Sequence, residues 1–429
     1  MNWGLLGPEV LGSQRRTRTL GLATVVRKFN DLAVPGMGGV WFGKQLLVAI
    51  LGVALAERAR AGGRQFRNIE IANAVEALAC WLALDQNGWQ SDSRLLGRLK
   101  MQGKTELSFR KVRQQGFYVT QPMRMRTVQP LLALGFVDAG SERFNSFVCT
   151  EIGRTFIEVA YQAYRPKNRS VLNNLLGWMQ GDDDCVRTDH SRRALSPTEP
   201  LRNEAREILR ERIIHGPTKI GGRRSNLLEW MDELGNTPNQ QITWDRQPKA
   251  LEDDHWRDVR VGGHFFVARE AAFEVLDSVE MHLGNKTEQR LALTSDLPDP
   301  TKNAINTLRE RSQRFLKEDY DPSPEGLAKK FCKECSEHDA AGILKNLVMR
   351  DGRVLQLRGN IIVPGAAFRG AEAQQAENEI EAGDADDGAG LSAGLQWPEG
   401  ISVRIQNLFL LNTDLRGDLD HWLNAQDGN

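Results

Sequence analysis

The sequence predicts an α+β fold that is predominantly α-helical and divided into several domains. At 429 residues the chain is longer than a single hydrophobic core normally organises. Apolar residues recur at helical spacing through most segments, as in Ile152, Phe156, Ile157 and Ala160. Strand-like runs are short and border glycine turns. Long helices with a few short strands are therefore expected.

The first hundred residues are predicted to form helices that pack together. A run of apolar residues predicts a strong helix over Gly43–Arg60, which the glycine pair at 62 and 63 ends. Asn68 is expected to cap a second helix over Ile69–Leu84, and a third follows to about Lys100. These helices should form an N-terminal unit beside the segment that follows.

The segment from Leu107 to Tyr164 has the order of a helix-turn-helix followed by a two-stranded wing. Gly135 should stop its second helix, and Thr150 should cap its last one. The expected elements are a basic helix over Ser108–Gln115, a helix over Pro122–Leu134, strands over Phe136–Asp138 and Arg143–Cys149, and a helix over Glu151–Tyr164.

Two runs in this segment, Leu134-Gly135-Phe136-Val137 and Cys149-Thr150-Glu151-Ile152-Gly153-Arg154, resemble the wing of bacterial winged-helix regulators of the MarR and PadR type. The resemblance covers about 60 residues. It implies a winged helix and DNA contact, with the helix before the wing in the major groove. Pro130 departs from the pattern, because proline inside that helix should kink or split it.

A basic stripe reinforces this interpretation, because Arg110, Lys111 and Arg113 lie next to the turn of the predicted winged helix, where backbone phosphates are contacted. Three alternatives stay open: sequence-specific DNA reading, non-specific nucleic-acid contact, and a winged helix that binds only protein. The predicted nucleic-acid-binding residues are Arg110, Lys111, Arg113, Arg124, Arg126, Thr127, Gln129 and Arg143.

Charge is unevenly distributed although the formal net charge is zero. Residues 1–170 hold 24 Lys and Arg against 12 Asp and Glu, whereas residues 171–429 hold 32 against 44. Such asymmetry suggests a polyanion or an acidic partner for the first part. The other interpretation is that the two parts of the chain simply face each other.

A second, weaker winged-helix pattern covers Gly326–Pro364, where two helices precede a predicted hairpin of Arg353–Arg358 and Ile361–Val363. Cys332, Cys335 and His338 fall in its first part at C-x-x-C-x-x-H spacing. Three positions along one helix without a fourth ligand do not make a zinc site, so no metal is predicted.

The alternative prediction is an enzyme, either a nuclease or a nucleotide hydrolase. Residues 38–44 match the G-x-x-x-x-G-K part of a phosphate-binding loop, with Lys44 as its lysine. Gln45 stands where a magnesium-binding Ser or Thr is needed, and no strand precedes the loop. The acidic cluster Asp182–Asp184 lacks nuclease spacing. Catalytic residues and cofactors are accordingly predicted to be none.

Compartment and assembly are the least determined features. Five cysteines without framework spacing predict a reducing cytoplasm, and the start of the chain lacks the features of a signal peptide. The most apolar run, Leu46–Ala56, is too short to span a bilayer. No membrane contact is therefore expected.

Together these features predict a non-catalytic cytoplasmic winged-helix subunit that binds DNA, a partner protein or both, with its oligomeric state open. Its general character is similar to that of accessory proteins of bacterial anti-phage defence or mobile-element operons. The predicted divisions are an N-terminal helical region (1–106), the winged helix (107–170), a helical middle region (171–250), an α+β segment (251–320), the second winged-helix pattern (321–369), an acidic flexible linker (370–398) and a C-terminal docking strand and helix (399–429).

Overall fold

A computed structural model of the chain describes residues 20–217, 222–237, 241–294, 296–370 and 395–427, without the side chains of 424–427. Most of the predicted acidic linker, residues 371–394, lies outside this description. Within the described ranges the fold is α+β and predominantly helical, as predicted.

Among the helices of the described residues, α12 is the longest. They are α1 (Ala23–Ala33), α2 (Gly43–Ala61), α3 (Asn68–Gln86), α4 (Arg98–Met101), α5 (Phe109–Val112), α6 (Val128–Ala133), α7 (Glu151–Tyr161), α8 (Val171–Trp178), α9 (Asp189–Leu195), α10 (Asn203–His215), α11 (Gly222–Gly235), α12 (Asp253–Gly284), α13 (Asp299–Lys317), α14 (Leu327–Glu334), α15 (Ala340–Asp351), α16 (Val403–Arg416) and α17 (Leu419–Asp427).

The strands of the described residues form two small antiparallel sheets. In the first, β1 (Val137–Ala139) pairs with β2 (Phe147–Cys149), so that Val137 lies opposite Cys149. In the second, β5 (Ile361–Pro364) lies between β3 (Leu291–Ala292) and β4 (Leu355–Arg358). The β4–β5 pair is the hairpin expected from the second winged-helix pattern.

The described chain divides into two compact units whose boundaries fall inside α1 and α12. The larger unit comprises residues 30–257 with 395–427, and the smaller unit comprises residues 20–29 with 258–370. Helix α2 lies at the centre of the larger unit, because its unbroken apolar run is buried almost all round. Helices α3, α7, α8 and α16 pack against it.

The smaller unit is built on α12 from Asp258 onwards and on helices α13 to α15. Its core contains a group of phenylalanines, among which the rings of Phe29 and Phe265 stack with centroids 5.3 Å apart. Cys332 and Cys335 are buried in the same core. The two thiols are therefore packing residues of α14 and its C-terminal end.

The elements of the predicted winged helix differ in part from expectation. The expected helix over Pro122–Leu134 is split into a 3-10 turn, Met123–Thr127, and the short helix α6. Pro130 lies in the first turn of α6, where its missing N–H costs little. Gly135 ends α6 at a φ of +72°, in the left-handed region that favours glycine, as predicted.

The expected strand Arg143–Cys149 is also wrong in its first half. Phe144–Ser146 form a 3-10 turn, and only the last three residues pair with β1. The side-chain amide of Asn68 donates hydrogen bonds to the backbone carbonyls of Phe144 and Phe147, which holds this stretch against α3. The returning strand is shortened as a result.

Candidate nucleic-acid interface

The hairpin loop of the first sheet is attached to the N-terminal end of α3. Asn68 has no exposed surface, and its amide donates hydrogen bonds to the carbonyl oxygens of Phe144 at 3.0 Å and Phe147 at 2.8 Å. The backbone N–H of Ile69 donates to the side-chain oxygen of Asn145 at 3.0 Å. Arg143, one of the predicted residues, is exposed at the start of this loop.

Helix α5 lies beside the same end of α3. Its cap is Ser108, whose hydroxyl accepts from the N–H of Lys111 at 3.3 Å. The ring of Phe109 packs edge-on against Trp178 and Phe66, with centroids 5.1 and 5.5 Å apart. The guanidinium of Arg113 covers Phe66 and Phe109 and forms an ion pair with Glu70. A four-residue helix is thereby held rigidly by aromatic packing.

Lysines continue this surface towards α4. Burial lowers the pKa of Lys104, and the positive charges of Lys100 and Lys111 lower it further, which places the three ammonium groups near one another. The Lys104 ammonium donates to the carbonyl of Phe117 at 2.9 Å. The three lysines add to the positive charge of this surface.

We call this surface the basic face. Its cations are exposed or half-exposed, and the carboxylates of Glu70, Glu106 and Glu142 belong to the same segments. Burial, Asp184 and Glu106 raise the pKa of the exposed Asp183, which therefore also lies near this surface. Four of the eight predicted nucleic-acid-binding residues, Arg110, Lys111, Arg113 and Arg143, lie on it. The complete set of cations is Arg64, Arg67, Lys100, Lys104, Arg110, Lys111, Arg113 and Arg143.

Two of the predicted residues, Arg124 and Thr127, lie inside the molecule. Arg124 is only 6% exposed, its Nε donates to the side-chain oxygen of Asn73 at 2.7 Å, and its guanidinium covers the ring of Phe144. Thr127 is fully buried, and its hydroxyl donates to the carbonyl of Arg124 at 2.8 Å. Neither side chain is available to a base edge.

The other two residues of that predicted reading helix are half-buried. Gln129 donates from its side-chain amide to a carboxylate oxygen of Asp31 at 2.8 Å. Arg126 is half-buried and also has a partner within the protein. The predicted site is therefore divided, since α5 and the hairpin loop face solvent and the segment between them packs inward.

Glu76 explains why this segment turns inward, and it is the residue that sequence reasoning missed. Its buried carboxylate accepts from the backbone N–H groups of Met123 at 2.7 Å and Arg124 at 2.9 Å, and from the Tyr118 hydroxyl at 2.9 Å. Burial raises the pKa of Glu76, and these hydrogen bonds partly oppose the shift. The position of Glu76 among apolar residues in the middle of α3 was the available signal, because a buried acid needs donors.

The geometry of the G-x-x-x-x-G-K segment does not resemble an open phosphate site. The N–H of Gly43, at the start of α2, donates to a carboxylate oxygen of Asp414 at 2.8 Å, so the protein's own anion occupies the helix N-terminus. Lys44 is 3% exposed, and its ammonium donates to the carbonyl of Ala194 at 2.8 Å. Burial lowers the pKa of Lys44 to about 8. Gly43 and Lys44 therefore join α2 to distant segments of the chain, and we call these two hydrogen bonds the internal clamp.

The remaining motifs of the sequence are dispersed. Asp182 pairs with Lys167 at 2.9 Å and with Arg169 at 3.6 Å, while the carboxylates of Asp183 and Asp184 are exposed. His338 lies at the surface, away from the buried Cys332 and Cys335 side chains of the α14 region. In the part of the chain that the structure describes, no group of three or more His, Cys, Asp or Glu residues is arranged to hold a metal ion.

Comparisons with protein families, with curated proteins and with solved structures find no match for this chain. The resemblance to the MarR and PadR wing therefore rests on the residues quoted above. Among the described helices, none combines the length and the apolar character that crossing a bilayer requires.

Proposed function

We propose that this protein binds nucleic acid by contacting backbone phosphates with the basic face, largely without regard to sequence. The observation that carries the proposal is the density of cations, eight against the three carboxylates of the same segments, on elements held by buried hydrogen bonds and aromatic packing. Arginine and lysine held in this way neutralise phosphates and release counterions, which provides most of the affinity in non-specific binding.

The proposal does not include recognition of base edges, because the side chains expected to contact them bind other groups of the protein. Sequence recognition in the major groove needs exposed polar side chains on one face of an element that enters the groove. Arg124 and Thr127 are buried, and the element that carries them is a 3-10 turn followed by a six-residue helix. Phosphate contact needs only exposed cations.

The winged helix is retained as the proposed architecture of this segment. The paired hairpin and the helix α7 that follows it, capped by Thr150, support it. The short, inward-packed segment before the hairpin is its main departure from the pattern. A role as a non-catalytic subunit that also holds a partner protein, in an anti-phage defence or mobile-element system, remains a prediction from the sequence.

The test is a titration of labelled DNA with the full-length protein at about 50 mM and about 200 mM salt, in which fluorescence anisotropy measures the bound fraction. A quadruple alanine variant of Lys100, Arg110, Lys111 and Arg143 should weaken binding to every sequence alike. On duplex DNA each lost phosphate contact reduces the slope of log affinity against log salt by about 0.9, so the four together should reduce it by about 3 to 4.

The matched control replaces four exposed cations outside the basic face, Lys286, Lys330, Lys345 and Arg353, all in the smaller unit. It removes the same net charge and should leave the salt slope close to that of the unmodified protein. Equal losses in the two variants, or no binding of the unmodified protein at the lower salt, would refute the proposal. Binding of only a partner protein would then be the better interpretation.

A further inference from the structure

A partly exposed tryptophan lies next to the basic face in an unusual backbone conformation. Trp89 follows α3 with a φ of +63°, a left-handed conformation that bulky side chains rarely adopt. The backbone N–H of Trp89 donates to the carbonyl of Leu84 at 2.7 Å. Its ring packs edge-on against Trp81, with centroids 6.0 Å apart. The indole is thus held in place although part of it faces solvent.

Contacts around Trp81 join this indole to the basic face. Trp81 is buried, and its indole N–H donates to the carbonyl of Lys104 at 2.8 Å. The guanidinium of Arg187 lies 5.7 Å from the Trp81 ring centroid and donates to the carbonyl of Thr105 at 2.8 Å. A rigid aromatic group and several cations therefore share one region.

The carboxylates nearest to Trp89 in sequence are already paired with arginine. Asp85 pairs with Arg192 at 2.8 Å, and Asp92 pairs with Arg94 at 2.9 Å. Asp420 also pairs with Arg94, at 2.7 Å, so two carboxylates share this arginine.

Helix α4 adds an exposed apolar side chain to the same region. Leu99 is 73% exposed and stands between two basic residues, Arg98 and Lys100. The guanidinium of Arg98 donates to the carbonyl of Trp89 at 3.5 Å, which places α4 beside the tryptophan. An apolar side chain flanked by cations provides a contact for a base and charges for the phosphates on either side of it.

We infer that Trp89 is a stacking platform for an unpaired base, so that the nucleic acid bound by the basic face is single-stranded. This inference rests on the proposed function and specifies its ligand. Bases in a duplex are stacked on each other and hide their faces, whereas an unpaired base can stack on an aromatic ring. Every base has such a face, so the contact is tolerant of sequence, in keeping with phosphate binding by the neighbouring cations.

The experiment compares three labelled probes with the full-length protein: an oligothymidine of about 20 nucleotides, an abasic strand of the same length, and a duplex. The unmodified protein should prefer oligothymidine over the abasic strand by on the order of 5- to 100-fold, the usual contribution of stacked bases. Trp89→Ala should abolish that preference and leave abasic-strand binding unchanged. Trp89→Phe, which keeps an aromatic ring and is the milder change for folding, should retain most of it.

Trp244→Ala is the matched control, since Trp244 is also a partly exposed tryptophan of the larger unit and lies outside the basic face. It should bind all three probes like the unmodified protein. Equal affinity of the unmodified protein for oligothymidine and the abasic strand, or an unchanged preference in Trp89→Ala, would overturn the inference while phosphate binding stands. Failure to bind any of the probes would instead refute the proposed function itself.

Discussion

The buried lysine of the G-x-x-x-x-G-K segment offers a quantitative test of the internal clamp. Lys44 is 3% exposed and its ammonium has one hydrogen bond, to the carbonyl of Ala194. Burial disfavours its charged form, and the negative charges of Glu199 and Asp414 only partly compensate, which leaves the pKa at about 8 instead of 10.5. We expect Lys44→Met to stabilise the protein at neutral pH.

The magnitude follows from the pKa shift. A lowering from 10.5 to about 8 corresponds to about 3 kcal/mol of unfavourable free energy at pH 7, where Lys44 is protonated in both the folded and the unfolded state. Methionine removes this cost but loses the hydrogen bond to Ala194, worth about 1 kcal/mol. The free energy of unfolding should therefore rise by about 2 kcal/mol at pH 7.

The sign of the pH dependence is equally defined. Between pH 8 and pH 10.5 the folded protein has released the Lys44 proton, whereas the unfolded chain still holds it. The unmodified protein should then gain about 1.4 kcal/mol of stability per pH unit from this residue, and Lys44→Met should not. Burial raises the pKa of Cys80 to about 12 and that of Cys185 to about 11, which lowers stability at high pH in both proteins and cancels in their difference.

Urea denaturation followed by tryptophan fluorescence is the suitable assay. Nine of the ten tryptophans lie in the described part of the larger unit, so the signal reports the unit that contains Lys44. Lys100→Met, at an exposed lysine, is the control and should change little. A Lys44→Met protein that is less stable at pH 7, or a stability difference that stays constant up to pH 10, would refute the reasoning.

Three further substitutions test the support of the candidate interface by the same denaturation assay. Asn68→Ala should lower the unfolding free energy by about 2 to 3 kcal/mol, because buried carbonyls lose their donor; a loss below about 0.5 kcal/mol would contradict the anchoring role. Gly153→Ala should lower the free energy of unfolding by about 1 to 3 kcal/mol, since its new Cβ would lie 2.1 Å from the carbonyl oxygen of Phe136. An unchanged free energy of unfolding would mean that the hairpin can move away from α7. Arg124→Ala should destabilise the larger unit and leave the salt dependence of DNA binding unchanged, because the Arg124 guanidinium is buried against Phe144 and bonded to Asn73. A reduced salt slope would show that Arg124 contacts phosphate after all.

Local features of the fold were predictable because they depend on neighbours in sequence. The run of apolar residues identified α2, Thr150 caps α7 as expected, and Gly135 ends α6 with a positive φ. The exposed cations of α5 were also found, because a short basic helix usually faces solvent. Each of these depends on a period, a cap or a turn within a few residues.

Tertiary structure decided which of the charged residues face inward. Arg124 belongs to the same basic pattern as Arg113, yet Asn73 and Glu76, about fifty residues earlier, bind its segment and bury it. Lys44 matches a phosphate-binding motif, yet Asp414, 371 residues after Gly43, accepts a hydrogen bond from the Gly43 N–H at the helix N-terminus. The sequence alone determined α2, α3, α7, the β4–β5 hairpin and the excess of positive charge in the first part of the chain, whereas the expected third helix is reduced to α4 and the helix over Pro122–Leu134 is split. Only long-range packing determined which charges are exposed, because a buried ion requires partners and those partners come from distant segments.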